Sequence, residues 1–290
     1  MASRVRRCRD WCALQAEPDP GDPTRYVIFV GQGGLGLPDE EYYRSDQYNE
    51  IRAQYLTHVA TSFALAGIAD PDGQAQQVFD LETEIAATHW DKVKCRDLRL
   101  MYNLMSLDDF AASSPGLHWR EFLIGGDIAE SKIGELVAMQ PSFFTEVSSL
   151  LTEDRLPAWR AWARWKVINS LSPYLSSAFV EENFRFYGTV LMGTPELRER
   201  WKRALRWWRS RSARRSARST STATSPQVAK ERMDQLVANL IEAYRRSIND
   251  LDWMTEETKE SALDQARQVP LAHRLPEQVA RLLIAGDRSR

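Results

Sequence analysis

Apolar periodicity constrains the fold of this chain more than any other feature. From Tyr48 to Leu65 the residues Ile51, Tyr55, Leu56, Val59, Phe63 and Leu65 recur three and four positions apart. That spacing gathers side chains on one face of an α-helix. The same reading predicts a helix from about Gln74 to His89, with Val78, Leu81 and Ile85 buried and Glu82 and Glu84 facing out. Further helices are expected over Ile128 to Met139, Phe143 to Leu151, Ala158 to Ser170, Ser177 to Leu191 and Ala229 to Ile248. The breaks between them are proline or glycine, among them Pro115-Gly116, Gly125-Gly126, Pro141, Pro157, Pro173 and Gly193. Thr255 is placed to cap a helix from Glu256 to Arg267, whose acidic first turn suits the helix dipole. Only Tyr26 to Val30, β-branched and aromatic between Pro23 and Gly31, reads as a strand. The expected fold class is mainly α, a multi-helix domain with a minor β element.

Residues 1–25 mix arginines with the run Pro18-Asp-Pro-Gly-Asp-Pro23, which cannot sustain a helix or a central strand, and read as a leader without a fold. Cys8, Cys12 and Cys95 are an odd count with no disulfide-framework spacing, and read as reduced thiols. No apolar run approaches the roughly 18 residues that a membrane helix needs, and the arginine-rich start lacks an apolar signal core. A cytoplasmic chain with no membrane partner is expected.

Three motifs invite chemistry. Gly31-Gln-Gly33-Gly-Leu-Gly36 is a GxGxxG after a strand, the place where a dinucleotide fold holds pyrophosphate. Pro38 follows at once, however, and Asp39, Glu40 and Glu41 would put negative charge beside the phosphates, so the run reads as a turn. The histidines His58, His89, His118 and His273 are isolated, and no two lie one helical turn apart as zinc ligands would. His89 and Glu82 share a helical face and are left unassigned. Trp159, Trp162 and Trp165 recur every third residue and read as a buried ridge rather than an aromatic platform.

The net charge of −2 conceals a basic run from Arg198 to Arg218. A nucleic-acid arm and a polybasic patch are both functional readings of it. From Ser210 to Pro226 only Arg, Ser, Ala, Thr and Pro occur, however. That palette is what out-of-frame translation of a G+C-rich gene gives.

Several segments in order resemble the neprilysin and endothelin-converting-enzyme family of zinc metallopeptidases, in particular its soluble bacterial members. They are Tyr26 to Tyr43 with its Gly-Leu-Gly-Leu-Pro-Asp loop, Leu81 to Trp90, Tyr102-Asn-Leu104, Trp159 to Trp165, Phe184 to Gly188, Arg200 to Arg203, Ala229 to Arg232, Asn239 to Arg245 and Leu251 to Thr255. The resemblance implies a helical peptidase N-terminal domain over 26–205, interrupted by an Arg/Ser/Thr-rich, out-of-frame segment over 206–228, continued over 229–267 and followed by an unstructured tail over 268–290. It also implies a lobe that roofs a chamber admitting peptides. In that family an HExxH helix and a downstream ExxxD glutamate hold Zn2+ and activate water. HExxH does not occur in these 290 residues, so no ExxxD glutamate lies downstream of one. No residue here is therefore assigned a catalytic, cofactor-binding or metal-ligating role. The expectation is a peptidase portion lying before the zinc site and inactive alone, with peptides as substrates of the complete enzyme and a separately encoded catalytic half as a possible partner. The alternatives are a non-catalytic helical interaction module and nucleic-acid binding through 198–218.

Overall fold

A computed structural model of the chain describes residues 11–125, 133–208 and 227–264. The chain forms two compact units, Met1–Glu199 and Arg200–Arg290.

In the first unit four strands make one sheet: β1 (Cys12–Asp19), β2 (Asp22–Gln32), β3 (Leu104–Ser106) and β4 (Glu135–Ala138), in the order β1-β2-β4-β3. β1 and β2 pair antiparallel as a hairpin, β2 runs parallel to β4, and β3 closes the far edge antiparallel to β4. The expected strand at Tyr26 to Val30 is thus the middle of β2, and the mainly α fold with a minor β element is observed.

The leader reading is corrected for residues 12–25, which form β1 and the start of β2. Proline is excluded from central strands because it lacks an N–H for the ladder, but β1 is an edge, where Pro18 costs little. The turn is then fixed by charge. Asp19 accepts from the Gly21 amide at 2.8 Å and from the Tyr102 hydroxyl at 2.6 Å, and it pairs with Arg25 at 2.7 Å. Those partners, led by the Tyr102 hydrogen bond, hold its carboxyl below the usual range.

The expected helix over 128–139 is also corrected. Residues 126–132 lie outside the described residues, and Glu135–Ala138 is strand β4. Leu136, Val137 and Ala138 are all buried, and a short continuous apolar run is the one pattern from which periodicity cannot separate a covered strand from a helix.

Nine α-helices complete the described part of this unit: α1 (Glu41–Arg44), α2 (Asn49–Leu65), α3 (Pro71–Thr88), α4 (Leu98–Met101), α5 (Leu107–Ser113), α6 (Trp119–Gly125), α7 (Pro141–Ser149), α8 (Leu156–Leu171) and α9 (Ser177–Asn183). A π-helical segment, Phe184–Val190, continues α9. α3 opens three residues earlier than expected. Asp70 takes a left-handed conformation, φ 51°, and caps the Gly73 amide, while Pro71 fills the first turn, where its missing N–H costs nothing. α2, α3 and α8 pack on one another around Tyr55, Val59, Phe63, Val78, Ile85 and Trp165. A second aromatic cluster, Phe110, Trp119, Phe143 and Phe144, fills the core between α5, α6 and α7.

The second unit holds helices α10 (200–208), α11 (Gln227–Asn249) and α12 (256–264). Thr255 caps α12 as expected, its hydroxyl accepting from the Thr258 amide at 3.3 Å. Most of the 206–228 segment and all of the expected tail at 268–290 lie outside the described residues. Among those described, no helix is long and apolar enough to cross a membrane.

Because β1 buries Cys12 and Leu14 against the core, removing residues 1–20 should lower the unfolding free energy by about 3 kcal/mol or more. Urea unfolding followed by circular dichroism measures this, and an unchanged midpoint would restore the leader reading.

Candidate functional site

The glycine run after β2 is braced by side chains from several elements. Gly34 has φ +95°, a conformation that side chains with a Cβ resist. At Gly36 a Cβ would overlap the hydroxyl of Tyr55. Three of its carbonyls are met by side-chain donors. His89 Nε2 lies 2.8 Å from the Gly33 oxygen, Trp162 Nε1 donates to the Gly34 oxygen at 3.0 Å, and the Tyr187 hydroxyl donates to the Gly36 oxygen at 3.2 Å. The Gly36 and Leu37 amides both donate to the Tyr43 hydroxyl at 3.1 Å.

Beneath the loop sits Glu82, wholly buried on α3. Its Oε2 accepts from the hydroxyls of Tyr43 at 2.8 Å and Tyr55 at 2.7 Å, and its Oε1 pairs with Lys166 Nζ of α8 at 3.1 Å. Tyr55 in turn accepts from Trp165 Nε1 at 2.8 Å, and Lys166 lies 5.2 Å from the Trp162 ring centre. The expectation that Glu82 faces out is therefore wrong. It lies one turn after Val78 and just before Ile85 on the covered face of α3, and its charge is met by a lysine one residue after Trp165. Burial first, and the charge of Glu82 second, push the Tyr43 and Tyr55 hydroxyls well above their ordinary values, so both remain neutral donors. Burial likewise raises Tyr187.

A cleft of about 580 Å³ opens beside the loop, lined by Leu35, Pro38, His89, Trp90, Lys166 and Tyr187 among others. Burial lowers His89 below the ordinary histidine value, which keeps the imidazole neutral and suits donation from Nε2 to the Gly33 carbonyl.

The residues singled out by sequence fall into place as follows. The GxGxxG run opens no helix, since the next is the single turn of α1, and the Gly36 and Leu37 amides are already taken by Tyr43. Trp162 and Trp165 are buried and Trp159 is half-buried, with its Nε1 on the Leu150 carbonyl at 2.9 Å, which makes the row a packing ridge. His89 and Glu82 do not share a ligand site, because each is committed to a different partner. His58 meets Glu182, His118 is exposed, and His273 and Cys8 lie outside the described residues. Among the described residues no group of three or more His, Cys, Asp or Glu side chains is arranged to hold a metal ion. With His58 and His89 also committed, the described side chains do not fit a zinc ion. Tyr43, Tyr55, Lys166 and Tyr187 escaped sequence reasoning. The available signal was a charge on each of two apolar stripes, Glu82 after Leu81 and Lys166 after Trp165.

The sequence profile of the N-terminal region of Peptidase family M13 matches residues 3–271. This chain belongs to Peptidase family M13. Endothelin-converting enzyme 1 of Mus musculus is 25% identical over 270 residues, covering 90% of this chain and 35% of the relative. The neutral endopeptidase of Lactobacillus helveticus is 23% identical over 258 residues, covering 88% of this chain and 39% of its own length. Among solved structures, the zinc metalloprotease ZMP1 of Mycobacterium tuberculosis in its open state superposes with a TM-score of 0.82 at 36% identity, over 91% of this chain and 42% of that one. The chain thus spans little more than a third of the length of these curated relatives, and the match falls in the family's N-terminal region.

Replacing Tyr43 by Phe removes one acceptor from two loop amides and one donor from a buried carboxylate. We expect a loss of about 2–4 kcal/mol and faster hydrogen exchange at Gly36 and Leu37. Tyr42→Phe, whose ring stacks on Tyr48 at 4.0 Å, is the control and should change neither.

Proposed function

We propose that this chain is the N-terminal portion of a neprilysin-like zinc metalloendopeptidase and does not cleave peptides alone. The observation that carries the proposal is the superposition on a zinc metalloprotease at 36% identity over nearly the whole chain. The helical first unit supplies a wall of the peptide chamber, and the braced glycine loop gives that wall a fixed edge. Zn2+ and the residues that hold it belong to sequence beyond these 290 residues, which contain no HExxH and hence no ExxxD glutamate downstream of one. Peptides are substrates of the assembled enzyme only, and a separately encoded catalytic half is the partner that would complete it. We place the protein in the cytoplasm, where Cys95 stays a thiol.

Zinc content and cleavage of a fluorogenic peptide by the purified chain test this together. We expect less than about 0.1 zinc per chain, against the one that a catalytic site holds, and no chelator-sensitive turnover. One zinc per chain with turnover abolished by a chelator would overturn the proposal.

A further inference from the structure

His58 is completely enclosed, and its surroundings suit only one of its charge states. Its ring stacks on Phe186 at 4.9 Å with an interplanar angle of 13°, and meets Trp165 and Tyr187 edge-on, both at 5.4 Å. Nδ1 lies 2.7 Å from Glu182 Oε1, while Nε2 is buried with no hydrogen-bond partner among the described residues. A neutral imidazole with its proton on Nδ1 fits this cage, since Nε2 then presents only a lone pair. A protonated ring would carry a second N–H facing aromatic carbon, and a buried donor without an acceptor is costly.

The groups facing His58 come from four elements. Glu182 lies on α9, and Arg185 on the π-helical segment grips Glu182 with two bonds of 2.7 Å. Arg185 also donates to Gln54 on α2 at 3.4 Å. On α8, Trp165 precedes Lys166, whose charge is taken up by Glu82. Tyr187 is neutral. Burial, the largest influence, holds His58 below the ordinary histidine value against the pull of Glu182. Burial alone would raise Glu182, but Arg185 and then His58 outweigh it and hold that carboxyl at about 2. Glu182 therefore stays charged across the range in which histidine titrates.

The residues that cage His58 also reach the glycine loop. Phe186 and Tyr187 are adjacent on the π-helical segment, and Tyr187 donates to the Gly36 carbonyl while accepting from Asn169 at 2.9 Å. π-helical turns inside helices occur often where a side chain is held for a purpose. We propose that His58 is an acid-operated latch: protonation ejects its ring from the Phe186 cage, frees the π-helical segment from α2, and releases the Tyr187 contact that braces the glycine loop beside the cleft. The sign follows from linkage. A released imidazole takes up its proton at the ordinary value of about 6.5, above that of the caged one, so the closed form is fully favoured above that pH and loses ground as pH falls below it.

Hydrogen exchange of the full chain at about pH 7.5 and about pH 5, corrected for intrinsic rates, reads the latch directly. Between the two, protection over 177–191 and 33–40 should fall about ten-fold while the β1–β2 hairpin keeps its own. In His58→Gln the change should be less than about two-fold, and His89, present in both proteins, serves as the internal control. An equal loss in both proteins, or a loss shared by the hairpin, would overturn the proposal. Should the variant fail to fold, the NMR titration of the His58 ring protons in the unaltered chain decides. Protonation concurrent with line broadening in Tyr187 supports the latch, and a ring that stays neutral to about pH 5 refutes it.

Discussion

One buried ion pair, Glu82 with Lys166, ties the first unit together. Removing two charges from water costs several kcal/mol each, and their attraction repays this only where geometry is close and the remaining lone pairs are met. Here Glu82 Oε2 takes two tyrosine hydroxyls, while Oε1 meets Lys166 at 3.1 Å by charge without a hydrogen bond among the described residues. Each partner reaches onward, Tyr43 to two amides of the glycine loop, Tyr55 to Trp165 and Lys166 to the face of Trp162. Four elements, the loop, α2, α3 and α8, therefore share one polar centre inside an otherwise apolar core. An apolar substitution at either charge leaves the other uncompensated, so the arrangement specifies one packing of these helices over alternatives that apolar contact alone would tolerate.

This centre explains why a glycine-rich turn that mimics a nucleotide fingerprint serves a different end. Its amides and carbonyls are spent on the protein itself, through His89, Trp162, Tyr187 and Tyr43. What results is a rigid rim beside a cleft. Membership of Peptidase family M13 places this rim in the N-terminal region of that family.

The sequence made the long helices legible because α2, α3 and α8 each bury one continuous face, and that face repeats with the helical period. It also pointed to the family, through the Gly-Leu-Gly-Leu-Pro-Asp loop and the segments that follow it in order. It misled where context decides. Pro18 suits β1 only because β1 is an edge, and Leu136 to Ala138 form a strand only because β2 and β3 lie on either side of β4. Glu82 was assigned to the surface because a lone carboxylate is nearly always there. Its burial depends on Lys166, 84 positions away in the chain, and single-sequence periodicity carries no information about a partner at that separation.

A double-mutant cycle on Glu82→Leu and Lys166→Met, read by urea unfolding, tests the centre most directly. Each single change should cost about 3–5 kcal/mol, because it strands a buried charge, while the double variant should recover enough to give a coupling of about 2 kcal/mol or more. Effects that add to within about 0.5 kcal/mol would show that the two charges act independently and that the core does not depend on their pairing.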